Sequence, residues 1–126
     1  MLMISKREKG NLGETAALNY LIQNGYVILE KNFSTKYGEI DIIARDNDYI
    51  AFIEVKTRRD EKWGLPSEAV TLNKQCRIAR MAMLYIAKKR LNDENFRFDV
   101  VEVILSDNEV KYLRLIKDAF QIDFTM

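Results

Sequence analysis

Two apolar runs joined by a short polar segment constrain the fold of this 126-residue chain more than any other feature of its sequence. Residues 39–45 and 49–57 are rich in Ile, Val, Ala and Phe, and the polar tetrapeptide 45–48 (Arg-Asp-Asn-Asp) favours a tight turn. This arrangement predicts an antiparallel β-hairpin in which paired residue numbers add to 95. One hairpin face is then wholly apolar and must be core; it consists of the pairs Ile40–Val55, Ile42–Ile53 and Ala44–Ala51.

The opposite face of the predicted hairpin carries charged side chains at its open end. The same register places Asp41 opposite Glu54, and Glu39 opposite Lys56. Like charges directly opposite each other destabilise a ladder, so the Asp41–Glu54 pair has no structural rationale unless a cation or a proton lies between the two groups. Because both are hard oxygen ligands, the pair favours Mg²⁺ or Mn²⁺.

The residue types that are missing limit the chemistry of the chain. It contains no histidine, which excludes Ser-His and Cys-His triads and imidazole zinc sites, and its single cysteine, Cys76, excludes an internal disulfide. Without a histidine partner, Cys76 is predicted to be a small buried hydrophobic residue. Lys56 lies two residues beyond Glu54 on the same face, about 7 Å along the strand. Two carboxylates, a metal and a lysine are what phosphodiester hydrolysis requires.

The rest of the sequence predicts three more strands and two helices. Ser5 and Glu8 stand at capping-box spacing at the start of the first helix. Gly10 and Gly13 weaken the early turns of this helix. The predicted elements are a helix over residues 5–24, a strand over 26–34, the hairpin strands, a helix that begins after Pro66 or Thr71 and runs to about residue 90, and strands over 96–106 and 109–116. The order αβββαββ predicts one α+β or α/β domain over residues 1–126, with a mixed sheet flanked by helices, and we take α/β as the fold class.

The formal net charge of +1 hides an uneven distribution of charge. Residues 56–90 hold ten basic and three acidic side chains, a net charge of +7, whereas residues 1–55 and 91–126 carry −2 and −4. The basic segment directly follows the hairpin, so it is predicted to bind backbone phosphates. Trp63 within it fits either a base-stacking role or a core anchor. The predicted nucleic-acid contacts are Arg58, Arg59, Lys62, Lys74, Gln75, Arg77 and Arg80, of which Lys74, Arg77 and Arg80 recur every three residues near one helix face.

Three motifs carry a resemblance to known proteins. The elements Gly38-Glu-Ile-Asp41 and Glu54-Val-Lys56, with Gly13-Glu14 on a preceding helix, resemble the PD-(D/E)XK nuclease superfamily and its restriction-endonuclease-like fold. The stretches GEIDIIA, FIEVKTRR and RFDVV are similar to the YraN-type uncharacterised bacterial family, whose layout is similar to archaeal Holliday junction resolvases. The resemblance spans roughly residues 8–121 and departs from the superfamily at Ile40, which replaces the proline of the PD element.

The resemblance implies a role for each matching residue. Asp41 and Glu54 are implied metal ligands, with the Val55 carbonyl as a further ligand, and Lys56 is the implied catalytic lysine. Glu14 matches the acidic residue that completes the site through a water or a second metal. The alternative is that Glu14 is an ordinary surface glutamate with no role in the site. The implied cofactor is Mg²⁺ or Mn²⁺, the implied substrate is branched or otherwise structured DNA, and the implied assembly is a homodimer.

Two other classes of function remain open at this point. The chain fits a non-catalytic nucleic-acid-binding or adaptor module of the same fold, and also a structural domain that uses the polar hairpin face as a dimer interface. A titration with Mg²⁺ or Mn²⁺ separates the last of these from the nuclease-type site. The single cysteine, the absence of an obvious signal peptide and the lack of an apolar run of about 20 residues predict a cytoplasmic protein with no membrane partner.

Overall fold

Two helices and five strands make up the residues that the computed structural model describes, which are 4–59 and 70–122. Their order confirms the predicted αβββαββ sequence of elements, and most ends lie within one or two residues of the prediction. The last strand is the exception, because a register shift between Phe98 and Val100 lets it pair as far as Phe120. The elements are α1 (Lys6–Gln23), β1 (Val27–Thr35), β2 (Gly38–Asp46), β3 (Tyr49–Arg59), α2 (Leu72–Lys89), β4 (Asn95–Ser106) and β5 (Glu109–Phe120).

The five strands form one mixed sheet in the order β1-β2-β3-β4-β5. All neighbours are antiparallel except β3 and β4, which are parallel and are connected through α2. The hairpin register is confirmed from Ile42–Ile53 to Asp46–Tyr49, which leaves Asn47 and Asp48 as a two-residue turn. The chain is therefore a mixed α/β structure with a three-strand antiparallel meander at one edge of its sheet.

Side-chain capping sets the start of both helices. The N–H of Glu8 donates to Ser5 Oγ over 3.1 Å, which confirms the predicted N-cap of α1. The N–H of Lys74 donates to Thr71 Oγ1 over 3.3 Å, so α2 begins after Thr71, one of the two predicted starts. Neither of these helices, the two in the described part of the chain, is long and apolar enough to cross a membrane.

Each face of the sheet packs against a different helix. On one face Ala17 and Leu21 of α1 cover a cluster that includes Ile42 and Ile53. On the other face α2 covers a cluster that contains Ile43, Phe52 and Ile40. The placement of Ile40 on the same face as Ile42 was therefore wrong: the alternation of sides shifts by one residue between these two positions.

The shift coincides with a break in the ladder at Asp41, opposite Asn32 of β1, whose φ is 54°. The ladder between β2 and β3 ends at Ile42–Ile53, and the next backbone donor, the N–H of Val55, donates over 2.8 Å to Asp41 Oδ2 instead of to a carbonyl of β2. The predicted pairs Asp41–Glu54, Glu39–Lys56 and Ile40–Val55 lie beyond this last ladder pair and are not formed. β2 and β3 therefore separate where the hairpin becomes acidic.

The other end of the sheet holds a buried polar network. Asp99 interrupts an apolar strand, and Arg97 Nε lies 2.9 Å from Asp99 Oδ1. Arg97 also contacts Asp46 over 2.6 Å and Tyr26 over 2.8 Å. Hydrogen bonds donated by Arg97, by the Tyr26 hydroxyl and by the N–H of Asp118 satisfy the buried carboxylate of Asp99 within the fold.

Candidate metal centre

A cleft opens where β2 and β3 separate, with a volume of about 810 Å³. Its walls come from five elements, α1, β2, β3, α2 and β4, because both helices reach the same end of the sheet. The predicted site residues Glu14, Asp41, Glu54, Val55 and Lys56 all line it. The structure thus brings together side chains that are up to 42 positions apart in the sequence.

The carboxylate of Asp41 is held in the cleft by a backbone hydrogen bond. Its Oδ2 accepts the hydrogen bond from Val55, so its orientation is set by the backbone of the neighbouring strand. Burial raises the pKa of Asp41 above its usual range, while the N–H of Val55 and the ammonium of Lys74 act in the opposite direction. A carboxylate that is both oriented and partly desolvated is suited to hold a cation.

Glu14, Glu39 and Asp41 form the one group of potential metal ligands found in the described residues. Each offers an oxygen atom, and these atoms lie within 4.8 Å of one another. Burial raises the pKa of Glu14, and the charges of Asp41 and Glu39 raise it further. A side-chain hydrogen bond between Glu14 and Asp41 raises the pKa of Glu14 and lowers that of Asp41. The set consists of hard oxygen donors, which fits Mg²⁺ or Mn²⁺.

Glu39 is a possible ligand that the sequence interpretation left out. The hairpin register placed it on the charged face opposite Lys56, but not among the metal ligands. Its spacing of two residues from Asp41 was the available signal, because side chains two apart in a strand point the same way. Glu39 is exposed and accepts a hydrogen bond from Ser34 Oγ over 3.1 Å, so it lies next to Asp41 but outside the lining of the cleft.

Glu54 is buried on the other side of the cleft and pairs with a lysine. Lys74 Nζ of α2 lies 2.6 Å from Glu54 Oε1, and Glu54 is only 5% exposed. Burial and then the charge of Asp41 raise the pKa of Glu54 to about 7, even though Lys74 and Lys56 favour its ionised form. Lys74 was predicted to contact phosphate, but in the structure it forms an ion pair with Glu54, a predicted metal ligand.

The position of Glu14 depends on a close contact between α1 and β3. Gly13 is buried, and a Cβ atom built on it would overlap Thr57 Oγ1. Thr57 directly follows Lys56, so this contact brings the helix against the part of the strand that carries the lysine. Gly13 does more than weaken the helix: it allows the approach that places Glu14 next to Asp41.

The predicted basic contacts divide into two groups in the structure. Arg58 and Arg59 line the cleft together with Lys74. Lys6 and Lys9 also line it, and were missed because they belong to α1, far from the basic segment in the sequence. Lys62 lies outside the described residues, as do Trp63 and Pro66.

The remaining predicted contacts lie away from the cleft. Gln75 donates from Nε2 to the Val70 carbonyl over 3.0 Å, which ties it to the start of α2. Arg77 and Arg80 line a separate groove. Each residue of an α-helix is rotated by about 100°, so side chains spaced three residues apart drift around the helix. Lys74 and Arg80 therefore point about 120° apart and do not share one face of α2. Cys76 lines the groove of Arg77 and is exposed, so its predicted burial was wrong: it stands on the solvent side of α2.

Comparison with known proteins places the chain among relatives of the same length. A family model described as "Uncharacterised protein family UPF0102" matches residues 13–103, a range that includes every residue of the predicted catalytic set. A UPF0102 protein of Clostridium tetani (strain Massachusetts / E88) is 54% identical over 117 residues, which cover 92% of this chain and 96% of that protein. UPF0102 proteins of Clostridium botulinum (strain Kyoto / Type A2) and Clostridium kluyveri (strain ATCC 8527) are 53% and 51% identical, with the same coverage.

Proposed function

The chain belongs to the uncharacterised protein family UPF0102, the YraN-type family that its motifs resemble, and we propose that it is a metal-dependent endonuclease that cuts branched or otherwise structured DNA. One observation carries this proposal. At the point where β2 and β3 separate, Asp41 is fixed by the N–H of Val55, and the buried Glu54 and Lys56 line the same cleft. Burying several charged groups in one place costs free energy and does not stabilise a structural core, so their concentration here favours a functional site.

The proposed metal is Mg²⁺ or Mn²⁺, held by Asp41, Glu54 and the carbonyl of Val55. Glu14, with Glu39 next to Asp41, completes the site through a water or a second ion. A bound divalent cation would polarise the scissile phosphate and lower the pKa of a water molecule. Lys56 then orients that water or stabilises the charge that develops on the phosphate oxygens. Glu54 contributes as a carboxylate once Lys74 has released it.

The order of elements supports a restriction-endonuclease-like fold. The meander β1-β2-β3, the crossover through α2 and the parallel pair β3–β4 place the ExK strand in the middle of the sheet. The residue that replaces the proline of the PD element, Ile40, is 1% exposed and packs in the α2-side cluster. An apolar side chain therefore serves that position, and the metal ligand that follows it is unaffected.

The charge around the cleft favours a polyanionic substrate. Lys6, Lys9, Arg58 and Arg59 surround the acidic centre. A metal flanked by cations is suited to a phosphodiester backbone, because backbone phosphates supply most of the affinity in nucleic-acid binding. The proposed assembly is a homodimer, since two strands of a junction must be cut and one chain offers one such site.

The direct test is cleavage of labelled nucleic acids by the purified protein. The panel contains branched, flapped, nicked and linear DNA and the matching RNA, each with Mg²⁺, Mn²⁺ or EDTA. We expect cleavage of structured DNA with metal only, and its loss in Glu54→Ala and Lys56→Ala. Asp41→Asn should also lose cleavage. Its matched control is Asp48→Asn, in the turn at the opposite end of the hairpin, which should cut like the wild type. Failure to cut any substrate, or equal cutting by the variants, would contradict the proposal.

The second candidate is a nucleic-acid-binding or adaptor module of the same fold. The observation that favours it is the pairing of Glu54 with Lys74, which leaves a proposed metal ligand engaged with a lysine. This candidate predicts DNA binding that needs no metal, together with the absence of cleavage under every condition of the panel. Binding measured in EDTA beside the cleavage assay separates the two functions.

A further inference from the structure

A second charged cluster lies on the same sheet face as Lys56, across β4 and β5. Its centre is Glu102, a carboxylate that is completely buried between apolar neighbours in β4. Arg114 Nη2 lies 3.1 Å from Glu102 Oε2, and Arg58 Nε lies 3.8 Å from Glu102 Oε1. The sequence interpretation assigned no role to Glu102 or Arg114.

The arrangement is costly for a purely structural element. Burying a carboxylate requires compensation, and an apolar residue at position 102 would continue the pattern of Val100 and Ile104 without that cost. What the carboxylate achieves is to hold two guanidinium groups side by side. Their side chains are 16% and 27% exposed for Arg58 and Arg114, so the cluster presents a net positive charge to solvent.

The strand register places this cluster in line with the proposed catalytic lysine. Lys56, Glu102 and Arg114 are directly opposite one another on β3, β4 and β5. With neighbouring strands about 4.8 Å apart, the backbone of Arg114 lies about 10 Å from that of Lys56. The next row contains Arg58, Ile104 and Tyr112 in the same order.

Tyr112 adds an aromatic surface at the outer end of this row. It is 53% exposed, and it stands two residues before Arg114 on the same face of β5. Exposed aromatic rings beside arginines are the usual surface on which unpaired bases stack, since stacking accepts every base and requires that the base be out of a duplex. The row thus combines backbone contacts near the cleft with a base contact further away.

We propose that the face formed by Arg58, Arg114 and Tyr112 binds a single-stranded arm of the nucleic acid next to the cleavage site. Arg58 and Arg114 contact phosphates of the strand as it leaves the cleft, and Tyr112 stacks on an unpaired base. The direction of the strand rests on the proposed function, because Lys56 marks the reacting phosphate. The substrate class becomes a fork or flap with a single-stranded arm, in place of a continuous duplex.

The test is binding in EDTA, which does not depend on cleavage. Fluorescence anisotropy would be measured with three labelled DNA probes: a single strand, a fork with one single-stranded arm, and a blunt duplex. Tyr112→Ala should weaken binding of the single strand and the fork about five- to tenfold and leave duplex binding unchanged. Tyr112→Trp should restore the affinity for the single strand and the fork. Tyr49 is an exposed tyrosine at the other end of the sheet, so Tyr49→Ala should leave the affinity for all three probes unchanged.

Arg114→Gln tests the phosphate contact through the salt dependence of binding. Loss of one contact should reduce the slope of log K against log salt by about 0.7 for the single-stranded probe, and Arg114→Lys should retain the slope. Because Arg114→Gln leaves Glu102 with less compensation, circular dichroism must first show that the variant is folded. Equal affinity of the wild type and a folded Tyr112→Ala variant for all three probes would overturn the inference. A wild type that does not cut, but whose Tyr112 effect persists, would overturn only the nuclease proposal.

Discussion

Lys74 Nζ lies 2.6 Å from Glu54 Oε1, so a lysine of α2 forms an ion pair with a carboxylate proposed to bind metal. Lys74 is 38% exposed at its side chain, whereas the carboxylate is almost fully buried. The lysine therefore has room to move away, and the carboxylate does not. In the proposed nuclease, binding of a cation and pairing with Lys74 compete for the same oxygen atoms.

This competition leads to the first prediction. Lys74→Gln should tighten Mn²⁺ binding at pH 8.5, where Glu54 is ionised, by about tenfold, because the metal no longer displaces an ion pair. Isothermal titration calorimetry measures the change, and Lys88→Gln on the last turn of the same helix is the control. Weaker Mn²⁺ binding in Lys74→Gln at this pH would show that the lysine supports the metal and does not compete with it.

The raised pKa of Glu54 makes stability depend on pH. Its pKa is about 7 in the folded protein, against the usual 4.5 of a glutamate, so between these pH values the folded state holds a proton that the unfolded state has lost. The wild type should therefore lose stability as the pH rises from 5 to 8, by up to about 3 kcal/mol from this group. Glu54→Gln should lose less over the same range.

Urea unfolding in EDTA at pH 5, 6, 7 and 8 measures this difference. The expected result is that Glu54→Gln gains free energy of unfolding relative to the wild type as the pH rises. Glu109→Gln, the same chemical change at an exposed position, should follow the wild type at every pH. A constant difference between Glu54→Gln and the wild type would mean that Glu54 does not titrate in this window.

Added metal should stabilise the protein through the carboxylates. Mn²⁺ at about 100 times its dissociation constant contributes about 2.7 kcal/mol to the free energy of unfolding. At a fixed Mn²⁺ concentration, the gain in free energy of unfolding should be larger at pH 8 than at pH 6, because protons compete with the metal for Glu54. Addition of EDTA should reverse the gain. Asp41→Asn should abolish it while retaining the fold, because the asparagine carbonyl still accepts the hydrogen bond from Val55. Thermal unfolding with and without Mn²⁺ checks both statements, and an equal shift in Asp41→Asn would rule out this site.

Local sequence patterns were sufficient to predict much of the fold. The polar turn set the hairpin register, Ser5 marked the start of α1, and Thr71 was one of two predicted starts of α2, because each of these features depends on residues close together in the chain. The break at Asp41 could not be predicted in this way. A side chain that accepts a hydrogen bond from the backbone N–H of Val55 cannot be recognised from the alternation of the sequence, yet the side of the sheet that Ile40 faces changes at this break.

The limits of the site prediction have a similar origin. Asp41, Glu54 and Lys56 lie close in the sequence, and their carboxylate and lysine chemistry could be interpreted directly. Lys6 reaches the cleft only because α1 packs across the sheet, and Glu102 is buried only because β4 is central. Both placements are decided by tertiary packing, so periodicity within one segment cannot show them.

Gly13 and Gly10 offer a matched pair for testing how α1 is held against β3. Gly13→Ala brings a methyl group against Thr57 Oγ1, whereas the same methyl group at Gly10 meets nothing within 4 Å. We expect Gly13→Ala to lower the free energy of unfolding by about 1–3 kcal/mol through overpacking. Gly10→Ala should raise it by up to about 1 kcal/mol through helix propensity. Urea unfolding distinguishes the two signs.

The same pair reports on the site, because Gly13 precedes Glu14. If the helix moves away to relieve the overlap, Glu14 leaves Asp41, so Gly13→Ala should also weaken Mn²⁺ binding while Gly10→Ala leaves it unchanged. Thr57→Ala in the Gly13→Ala background removes the nearest atom and should recover part of both losses. A Gly13→Ala variant that is destabilised but binds Mn²⁺ normally would show that Glu14 does not contribute to metal binding.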